Sequence, residues 1–333
     1  MSKHQTFHLP TGYKNTPLSN ALRELLPELS WSQIKRLIQQ RRVQVNGNLC
    51  LDEVRRVQAG DVIRINEHSL PAPVTVKDVR LVHVDDQVVV IDKPSGVTTL
   101  RHPREQQWSD QRKQLQSTLD ELVAELLARE QAPEPEWTRR RAPDKPNLHV
   151  RPVHRLDRDT SGLMVFARTP EAEVHLIRQF KKHTVDRAYI AIAHGDVAEQ
   201  TIETLLIRDR GDGLRGSTTD SQAADAERAV THVRPLESPP GYTVVECRLE
   251  TGRTHQIRIH LAERGHMLCG EKTYVRSLGG EAVDDTSGAA RQALHAAVLG
   301  FEHPTTGRRL QFVSPLPRDL MQLLERLRTH RPG

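Results

Sequence analysis

Residues 154–162 read HRLDRDTSG, and residues 163–167 continue with the apolar run LMVFA. The apolar run predicts a buried strand, and the charged run, which ends in small residues, predicts a loop leading into it. In that loop the carboxylate of Asp157 lies between Arg155 and Arg158. A neighbouring cation would favour the ionised carboxylate, the form that acts as a nucleophile, and would also attract a phosphate backbone. A solvated salt-bridge turn produces the same short pattern, so these nine residues alone leave both interpretations open.

The length and charge of the chain restrict its class. Its 333 residues and 37.8 kDa are enough for two domains, and a net charge of +5 with a pI near 9.2 favours an anionic polymer as partner. No run approaches the roughly 18 consecutive apolar residues of a membrane span. The polar residues 1–16 lack the apolar core of a secretory signal. We therefore expect a cytoplasmic protein with no membrane partner, and a monomer by default.

The cysteines and histidines show no metal-ligand spacing. Cys50, Cys247 and Cys269 are far apart and odd in number, so we interpret them as reduced packing residues. His255 and His260 are five residues apart, whereas two ligands on one helical face are three or four apart. We predict no metal and no cofactor.

After a tail of residues 1–16, residues 17–68 predict a compact unit of two helices and a β-hairpin. Leucines recur at helical spacing from Leu18 to Leu29, and the hairpin turn is signalled by Asn46-Gly47. The inner face of the second helix is predicted at Trp31, Ile34, Leu37 and Ile38.

Cations gather where the second helix meets the hairpin, at Lys35, Arg36, Arg41 and Arg42. A basic face of this kind binds RNA phosphates, although a solvated helix can carry the same charges. The unit, and residues 34–47 in particular, resembles the small RNA-binding domain of a ribosomal small-subunit protein.

The prolines in residues 70–73 indicate a semi-rigid linker, placed at residues 69–78. Residues 79–330 then predict a larger α+β domain, because strand-like alternation dominates and helical patterns are few. Within it, residues 101–148 form an atypical insertion with a predicted helix at residues 115–129. Arg139 to Arg141 fit either a solvated run or an RNA contact.

Four segments of the larger domain resemble, in order, the motifs of the RluA family of RNA pseudouridine synthases. They read VIDKPSG at residues 90–96, HRLDRDTSG at 154–162, RAYIA at 187–191 and LETGRTHQIRIH at 249–260. Residues 301–304 and 312–317 are similar to the closing strands of that family, so the resemblance covers residues 81–327. It implies a mixed, largely antiparallel sheet with a central cleft, isomerisation of uridine to pseudouridine in RNA, and no cofactor.

The resemblance also implies roles for three residues. Asp157 would be the catalytic residue, Tyr189 would stack on the target uracil near its C5 atom, and Arg258 would pair with Asp157. From spacing alone, Tyr189 is an ordinary strand residue and Arg258, in a helix expected to begin near Thr254, is an exposed cation.

A uridine in folded RNA must leave its stack to reach a cleft. Arg155 is the candidate to fill the vacated space or hold the adjacent phosphate, and Lys93, Arg253 and His255 are expected at the cleft entrance. Hydrogen bonds that only shape loops are an equally good interpretation of these side chains. The remaining predicted substrate contacts are His154, Thr160, Gly162, Thr254 and Gln256.

Two other functions fit parts of the sequence. A glycoside hydrolase would use two carboxylates, but Asp157 and Asp159 are too close in sequence to be expected to flank one bond. A noncatalytic RNA-binding or ribosome-assembly protein would need only the basic N-terminal unit. Among RNA substrates, large-subunit ribosomal RNA is favoured and transfer RNA is the alternative.

Overall fold

The computed structural model describes residues 4–70, 72–101, 105–108, 113, 116–130 and 150–329. These fall into two compact units. One lies within Met1–Val74 and His102–Ser117, and the other lies within Thr75–Arg101 and Thr118–Gly333. The run Arg139 to Arg141, a candidate RNA contact, lies outside the described residues.

The first unit contains two helices and two small sheets. Its helices are α1 (Leu18–Leu25) and α2 (Trp31–Gln39). Its strands are β1 (His4–His8), β2 (Thr16–Pro17), β3 (Val43–Val45), β4 (Asn48–Leu49), β5 (Arg56–Val57) and β6 (Val62–Asn66). One sheet has the order β1-β6-β3-β4, and β2 pairs with β5. The predicted helix-helix-hairpin arrangement is confirmed.

Two details of the first unit differ from the sequence prediction. Residues 4–8 of the predicted tail form β1, which pairs antiparallel with β6. Phe7 packs on the core from this strand, and one apolar side chain in a polar run gives little strand signal. Trp31 is 56% exposed rather than on the inner face of α2, because it occupies the first helical position and only Ile34, Leu37 and Ile38 turn inward. Ser30 and Gln33 cap this helix reciprocally.

The second unit is built on one large sheet. Its strands are β7 (Arg80–Val84), β8 (Val88–Lys93), β9 (Arg151–Pro152), β10 (Ser161–Ala167), β11 (Asp186–His194), β12 (Gln200–Ile207), β13 (Gly216–Thr218), β14 (Glu227–Glu237), β15 (Tyr242–Leu249), β16 (Leu294–Glu302) and β17 (Arg309–Val313). Its helices are α3 (Leu119–Glu130), α4 (Pro170–Lys181), α5 (Gln256–Glu263) and α6 (Arg318–Thr329), with a short 3-10 helix at Val76–Asp78.

The sheet is mixed but largely antiparallel, as predicted. Its order is β13-β12-β14-β15-β11-β16-β10-β8-β7, with β17 beside β16 and β9 beside β10. Among the described pairs of this sheet, only β10 and β16 run parallel. Every residue of β10 is buried, which explains why residues 161–167 lack alternation in the sequence. The loop that carries Asp157 therefore enters the interior of the sheet.

Helices cover the sheet with separate apolar clusters. One cluster joins β8, β10 and α4, a second joins β11, β15 and α6, and a third joins β12, β14 and α5. In α4 the buried positions include Ala172 and Leu176, whereas Val174 is 59% exposed. Thr169 caps this helix by accepting a hydrogen bond from the Ala172 N–H. In α3, which lies in the helix predicted at residues 115–129, Leu119, Leu122, Val123 and Leu127 are buried.

Across the described ranges, no helix combines the length and the apolar character needed to cross a bilayer.

Candidate active site

Hydrogen bonds to its backbone hold the loop between β9 and β10 in place. Thr99 Oγ1 both donates to the carbonyl of Leu156 (3.1 Å) and accepts from its N–H (3.3 Å). The Gly96 N–H donates to the carbonyl of Arg158 (2.8 Å), and the Asp157 carbonyl accepts from the N–H of Thr160 (3.2 Å). These bonds hold the backbone on both sides of Asp157, so its carboxylate has a defined position.

Lys93 is part of this loop support and not of the cleft entrance. Its side chain is 1% exposed, and Nζ donates to the carbonyls of Pro94, Arg158 and Thr160 at 2.8–3.0 Å. Burial lowers the pKa of this ammonium to about 7. The prediction that Lys93 lines the entrance is therefore wrong, because the last residue of β8 points beneath the loop, where three carbonyls replace water.

Arg291 and Gln292 hold the loop from the start of β16. Arg291 Nη1 donates to the carbonyl of Asp159 (2.9 Å), and its Nε donates to Asp319 (2.7 Å). Gln292 donates to Thr160 Oγ1 (2.9 Å). Thr160 borders the cleft, but its 2% exposed side chain and this hydrogen bond make it primarily a loop-fixing residue.

Gly162 is required by strand packing rather than by substrate. Its φ of +118° is in the region that favours glycine, and a Cβ there would lie 2.3 Å from the carbonyl oxygen of Ala296. This is the point at which β10 and β16 pair in parallel. The prediction of a substrate contact at Gly162 is corrected accordingly, since the residue is absent from the cleft lining.

The opposite wall is the start of α5, which presents Arg258 to Asp157. Arg258 Nη1 lies 3.1 Å from Asp157 Oδ2, while Nε and Nη2 each donate to Glu271 at 2.7 Å. The arginine is 7% exposed and Glu271 is 3% exposed. Burial opposes the charge on both groups, yet their mutual pairing raises the pKa of Arg258 and lowers that of Glu271. Arg258 is thus a fixed buried cation rather than an exposed helical one.

His255 precedes α5 in a left-handed backbone conformation, with φ of 61°. Its Nδ1 lies 2.7 Å from the Tyr274 hydroxyl, and its Nε2 lies 3.6 Å from Asp157 Oδ1. Burial lowers the pKa of His255 despite the nearby Asp157 charge. Burial also raises the pKa of Tyr274 to about 12. Non-glycine residues in this conformation concentrate at functional sites, which agrees with the place of His255 on the cleft.

Tyr189 reaches the same cleft from β11. The pairing of β11 with β16 shifts register between Ala188 and Tyr189, and such a bulge changes the direction of the side chain that follows it. Tyr189 is 8% exposed, and burial together with the charge of Asp157 raises its pKa, while Arg187 opposes the shift. Its ring is therefore a neutral, largely apolar surface beside the carboxylate.

The side chains converge on a cleft of about 430 Å³ in the second unit. It is lined by Asp157, Tyr189 and Arg258, and also by Arg155, Arg253 and other residues, among them Val153, Ile177, Phe180, Lys181, His183, Arg187, Leu249 and Leu294. The predicted catalytic trio is thus assembled by three elements distant in sequence. The volume is that of a small-molecule site, sufficient for one nucleotide.

The other predicted contacts have different surroundings. Arg155 is exposed on the cleft, whereas Arg253 pairs with Glu227 at 2.6 Å. His154 also lines the cleft, but its Nε2 accepts from the Val165 N–H (3.2 Å), and burial lowers the pKa of its ring to about 3.

Two predicted contacts beside α5 are less accessible. Gln256 is 2% exposed and accepts from Thr251 and from the Arg253 N–H. Thr254 is half-buried and is not part of the cleft lining.

In the first unit, the four predicted RNA contacts are accessible or partly accessible. Lys35 pairs with Glu53 (3.2 Å), and Arg42 Nε donates to the Asn66 carbonyl (2.8 Å). Among the described residues, the side chains of Arg36 and Arg41 have no hydrogen-bond or ion-pair partner. Arg41 has φ of 60° directly after α2, a position that usually holds glycine. Both cations are available to an anion.

One group of side chains outside the cleft has metal-ligand character. Ligand atoms of His194, Cys269 and Asp285 lie within 4.8 Å of one another. Asp285, however, already accepts from the His194 ring (2.9 Å), the Gly270 N–H (3.0 Å) and Ser287. Burial raises the pKa of the Cys269 thiol to about 12. These contacts account for the cluster as a loop anchor, and we assign no metal to it.

Segments in both units match known protein families. Residues 87–263 match the family of RNA pseudouridylate synthases, and residues 16–63 match the S4 domain. The chain belongs to the RNA pseudouridylate synthase family. The "ribosomal large subunit pseudouridine synthase D" of Neisseria meningitidis serogroup B is 34% identical over 93% of this chain and 78% of its own.

Further relatives agree with this assignment. An RNA pseudouridine synthase of Bacillus subtilis is 35% identical over 90% of this chain and 91% of its own. The solved structure of human RNA pseudouridylate synthase domain containing 4 shares the fold, with a TM-score of 0.56 and 21% identity over 76% of this chain and 95% of its own. The protein is a pseudouridine synthase, an isomerase that carries an RNA-binding S4 domain.

Sequence reasoning missed the residues that support the trio. Glu271 is the only acidic residue between Glu263 and Glu281, but nothing in the sequence showed that it pairs with Arg258. Arg291 and Thr99 gave no signal either, because their contacts with the loop depend on the order of strands in the sheet.

Proposed function

We propose that this synthase isomerises specific uridines in large-subunit ribosomal RNA, with Asp157 as the nucleophile acting on a flipped-out uridine. The observation that carries the proposal is the placement of Asp157, Tyr189 and Arg258 around one cleft of nucleotide size. An RNA-binding protein without catalysis has no need for a carboxylate fixed in this way. A glycoside hydrolase is not favoured, since Asp159 is exposed and is absent from the cleft lining.

The reaction conserves all atoms of the uridine. The bond between ribose C1′ and uracil N1 breaks, the base turns, C1′ bonds to C5, and the proton of C5 is exchanged for one on N1. No redox step occurs, so the protein must supply a nucleophile, a closed space and a route for one proton. Asp157 can add to the uracil ring or displace uracil from C1′, and in either case the cleft must retain the fragment that is not bonded to Asp157.

Arg258 orients the nucleophile. Glu271 accepts hydrogen bonds from two nitrogens of Arg258 and so fixes the conformation of the arginine side chain. The third nitrogen, Nη1, is thereby held facing Asp157 Oδ2. The ring of Tyr189 supplies a stacking surface for uracil, and its hydroxyl is the group proposed to assist removal of the C5 proton.

A stacked uridine cannot enter a cleft whose nucleophile is only 17% exposed, so the target nucleotide must leave its helix. Arg155, exposed at the cleft, is placed to occupy the vacated position or to bind the adjacent phosphate. The S4 domain would add affinity through Arg36, Arg41 and their neighbours.

Large-subunit ribosomal RNA is the proposed substrate because several relatives that cover most of this chain carry that substrate in their names. An enzyme for this RNA would work in the cytoplasm, and we expect it to act as a monomer.

Tritium release from RNA labelled at uridine C5 tests the proposal. Unmodified large-subunit ribosomal RNA and unmodified transfer RNA are offered to the wild-type protein in separate reactions. Release from the ribosomal RNA alone is expected. Release from transfer RNA alone would support the proposed reaction but show that transfer RNA is the substrate. No release from either RNA would contradict the proposed function.

A further inference from the structure

Arg187 lies in the cleft without a carboxylate partner. Within the described residues, no Asp or Glu oxygen is within 4.0 Å of its guanidinium nitrogens, and its buried Nε has no hydrogen-bond acceptor. Its Nη2 donates to the carbonyl of Glu250 (3.0 Å). Burial lowers the pKa of Arg187, as expected for a cation removed from water.

Three other arginines around the site, all half-buried or buried, have carboxylate partners. Arg258 has Glu271 and Asp157, Arg253 has Glu227, and Arg291 has Asp319. A partly buried cation with no anion is unfavourable unless a ligand supplies the missing charge. Arg187 therefore differs from these three arginines in having no carboxylate partner among the described residues.

The guanidinium of Arg187 is nevertheless held in place. Its central carbon lies 5.7 Å from the ring centre of Phe180, and that ring stacks on His154 at 4.6 Å with an angle of 23°. A Cβ at Gly252 would lie 2.5 Å from Arg187 Nη1, so the glycine leaves room for the guanidinium. The stack His154–Phe180–Arg187 is thus built before any ligand arrives, which lowers the entropy lost on binding.

Arg187 and Tyr189 lie on either side of the bulge in β11, and both side chains border the cleft. A nucleotide whose base stacks on Tyr189 would bring its own phosphates along the same wall. Arginine is suited to phosphate oxygens because its planar group donates several hydrogen bonds.

We propose that Arg187 binds a backbone phosphate adjacent to the flipped-out uridine, as a substrate-binding residue preorganised by Phe180 and His154. The inference rests on the proposed function, because the phosphate belongs to the RNA that carries the target uridine.

The test compares Arg187→Gln with Arg178→Gln, which removes an exposed arginine of α4 that is not part of the cleft lining. Unmodified large-subunit ribosomal RNA labelled at uridine C5 is the probe, and kcat and KM are measured over a range of salt concentrations. Arg187→Gln is expected to lower kcat/KM about 10- to 100-fold, since a hydrogen bond to a charged group is lost. The plot of log kcat/KM against log salt should become shallower by about 0.7–1.

Arg178→Gln is expected to stay within about twofold of wild type and to keep its salt slope. Arg187→Lys, which retains a charge but not the planar group, should recover part of the loss. If Arg187→Gln does not fold, judged by its thermal midpoint, Arg187→Met provides a neutral chain of similar length for the same measurements.

Three results would overturn the inference. These are an unchanged kcat/KM, a loss equal to that of Arg178→Gln, or a loss confined to kcat with an unchanged salt slope and a shifted pH profile. The last would mean that Arg187 acts on the Tyr189 hydroxyl instead of on RNA. Absence of tritium release by the wild type is a separate outcome that contradicts the proposed function itself.

Discussion

Cations of the two units are used in opposite ways. In the S4 domain, Lys35 is 55% exposed on its side chain and pairs only with a half-exposed carboxylate, and Arg36 is exposed. In the catalytic unit, Lys93 and Arg258 are 1% and 7% exposed, and each makes three hydrogen bonds within the protein. Exposed cations adapt to any phosphate, whereas buried ones hold a single geometry.

This difference in exposure also predicts different energetic effects of substitutions in the two units. Exposed ion pairs contribute about 0–1 kcal/mol each, and removal of one partner from a buried pair costs about 3–5 kcal/mol. Substitutions in the S4 domain should therefore change RNA affinity in small, salt-dependent steps. Substitutions in the cleft should change turnover or folding.

The largest effect is expected for Asp157→Asn. The amide cannot act as the nucleophile, so tritium release should fall by about 10⁴-fold or more. The amide keeps the size of the carboxylate, and Asp159→Asn, at an exposed position of the same loop, is the matched control. Release by Asp157→Asn at more than a tenth of the wild-type rate would exclude Asp157 as the nucleophile.

The next largest effect concerns the support of Arg258. Glu271→Gln replaces the buried carboxylate beside the Arg258 guanidinium by a neutral amide. Arg258 should then be misplaced, and kcat should fall about 10²- to 10³-fold. Glu281→Gln, an exposed acid in the following loop, should change kcat less than twofold. If kcat for Glu271→Gln stays near that of wild type, the buried pair does not position the site.

Gly162→Ala tests whether the active-site loop depends on strand packing. The new Cβ would overlap the Ala296 backbone, so we expect a loss of about 3 kcal/mol in the free energy of unfolding. Gly279 also has a positive φ, of +71°, but a Cβ there meets no atom within 4 Å, so Gly279→Ala should lose only about 1 kcal/mol. Chemical denaturation distinguishes the two, and equal losses would mean that backbone strain alone decides.

Replacement of Lys35, Arg36, Arg41 and Arg42 by Gln should weaken RNA binding about 10- to 100-fold at moderate salt. The slope of log affinity against log salt should become shallower by about 3, because each phosphate contact contributes about 0.7–0.9. Single-turnover rates at saturating RNA should stay within about twofold of wild type. Gln at the exposed Arg308 and Arg318 is the control, and a reduced saturating rate in the quadruple variant would contradict the separation of roles.

The last effect, small for each pH unit, is the pH dependence of stability that Lys93 introduces. Its pKa is about 7 in the folded protein and 10.5 for an unburied lysine, so between these values the unfolded chain binds more protons. The unfolding free energy should then rise with pH from about 7 to 10.5, by up to about 1.4 kcal/mol per unit. Lys93→Met should remove this rise when denaturation is followed across that range, and an unchanged slope would show that Lys93 does not titrate there.

Local patterns predicted most of the fold. Residues 88–91 and 161–167 are apolar runs because the strands there are buried on both faces, and the Asp157 loop was evident from its charges. Prediction from local sequence patterns failed where the local signal was weak or misleading. Phe7 alone marked β1, and lysine is so rarely buried that Lys93 was expected at the surface.

The site was predicted less completely than the fold. Asp157, Tyr189 and Arg258 came from motifs. The contact of Arg291 with the Asp159 carbonyl depends on the sheet order, and the pairing of Glu271 with Arg258 and the lack of a carboxylate beside Arg187 were not evident from the sequence. A sequence shows which side chains carry charge, and the fold decides which charges are paired. The unpaired Arg187 is the clearest example.

The most direct test measures RNA affinity and single-turnover rate together for Asp157→Asn and for the quadruple S4-domain variant. Asp157→Asn should bind unmodified large-subunit ribosomal RNA within about twofold of wild type and form no pseudouridine. The quadruple variant should bind weakly and react at the wild-type rate once RNA is saturating. A large loss of affinity in Asp157→Asn, with residual turnover, would contradict the assignment of chemistry to the cleft and of binding to the S4 domain.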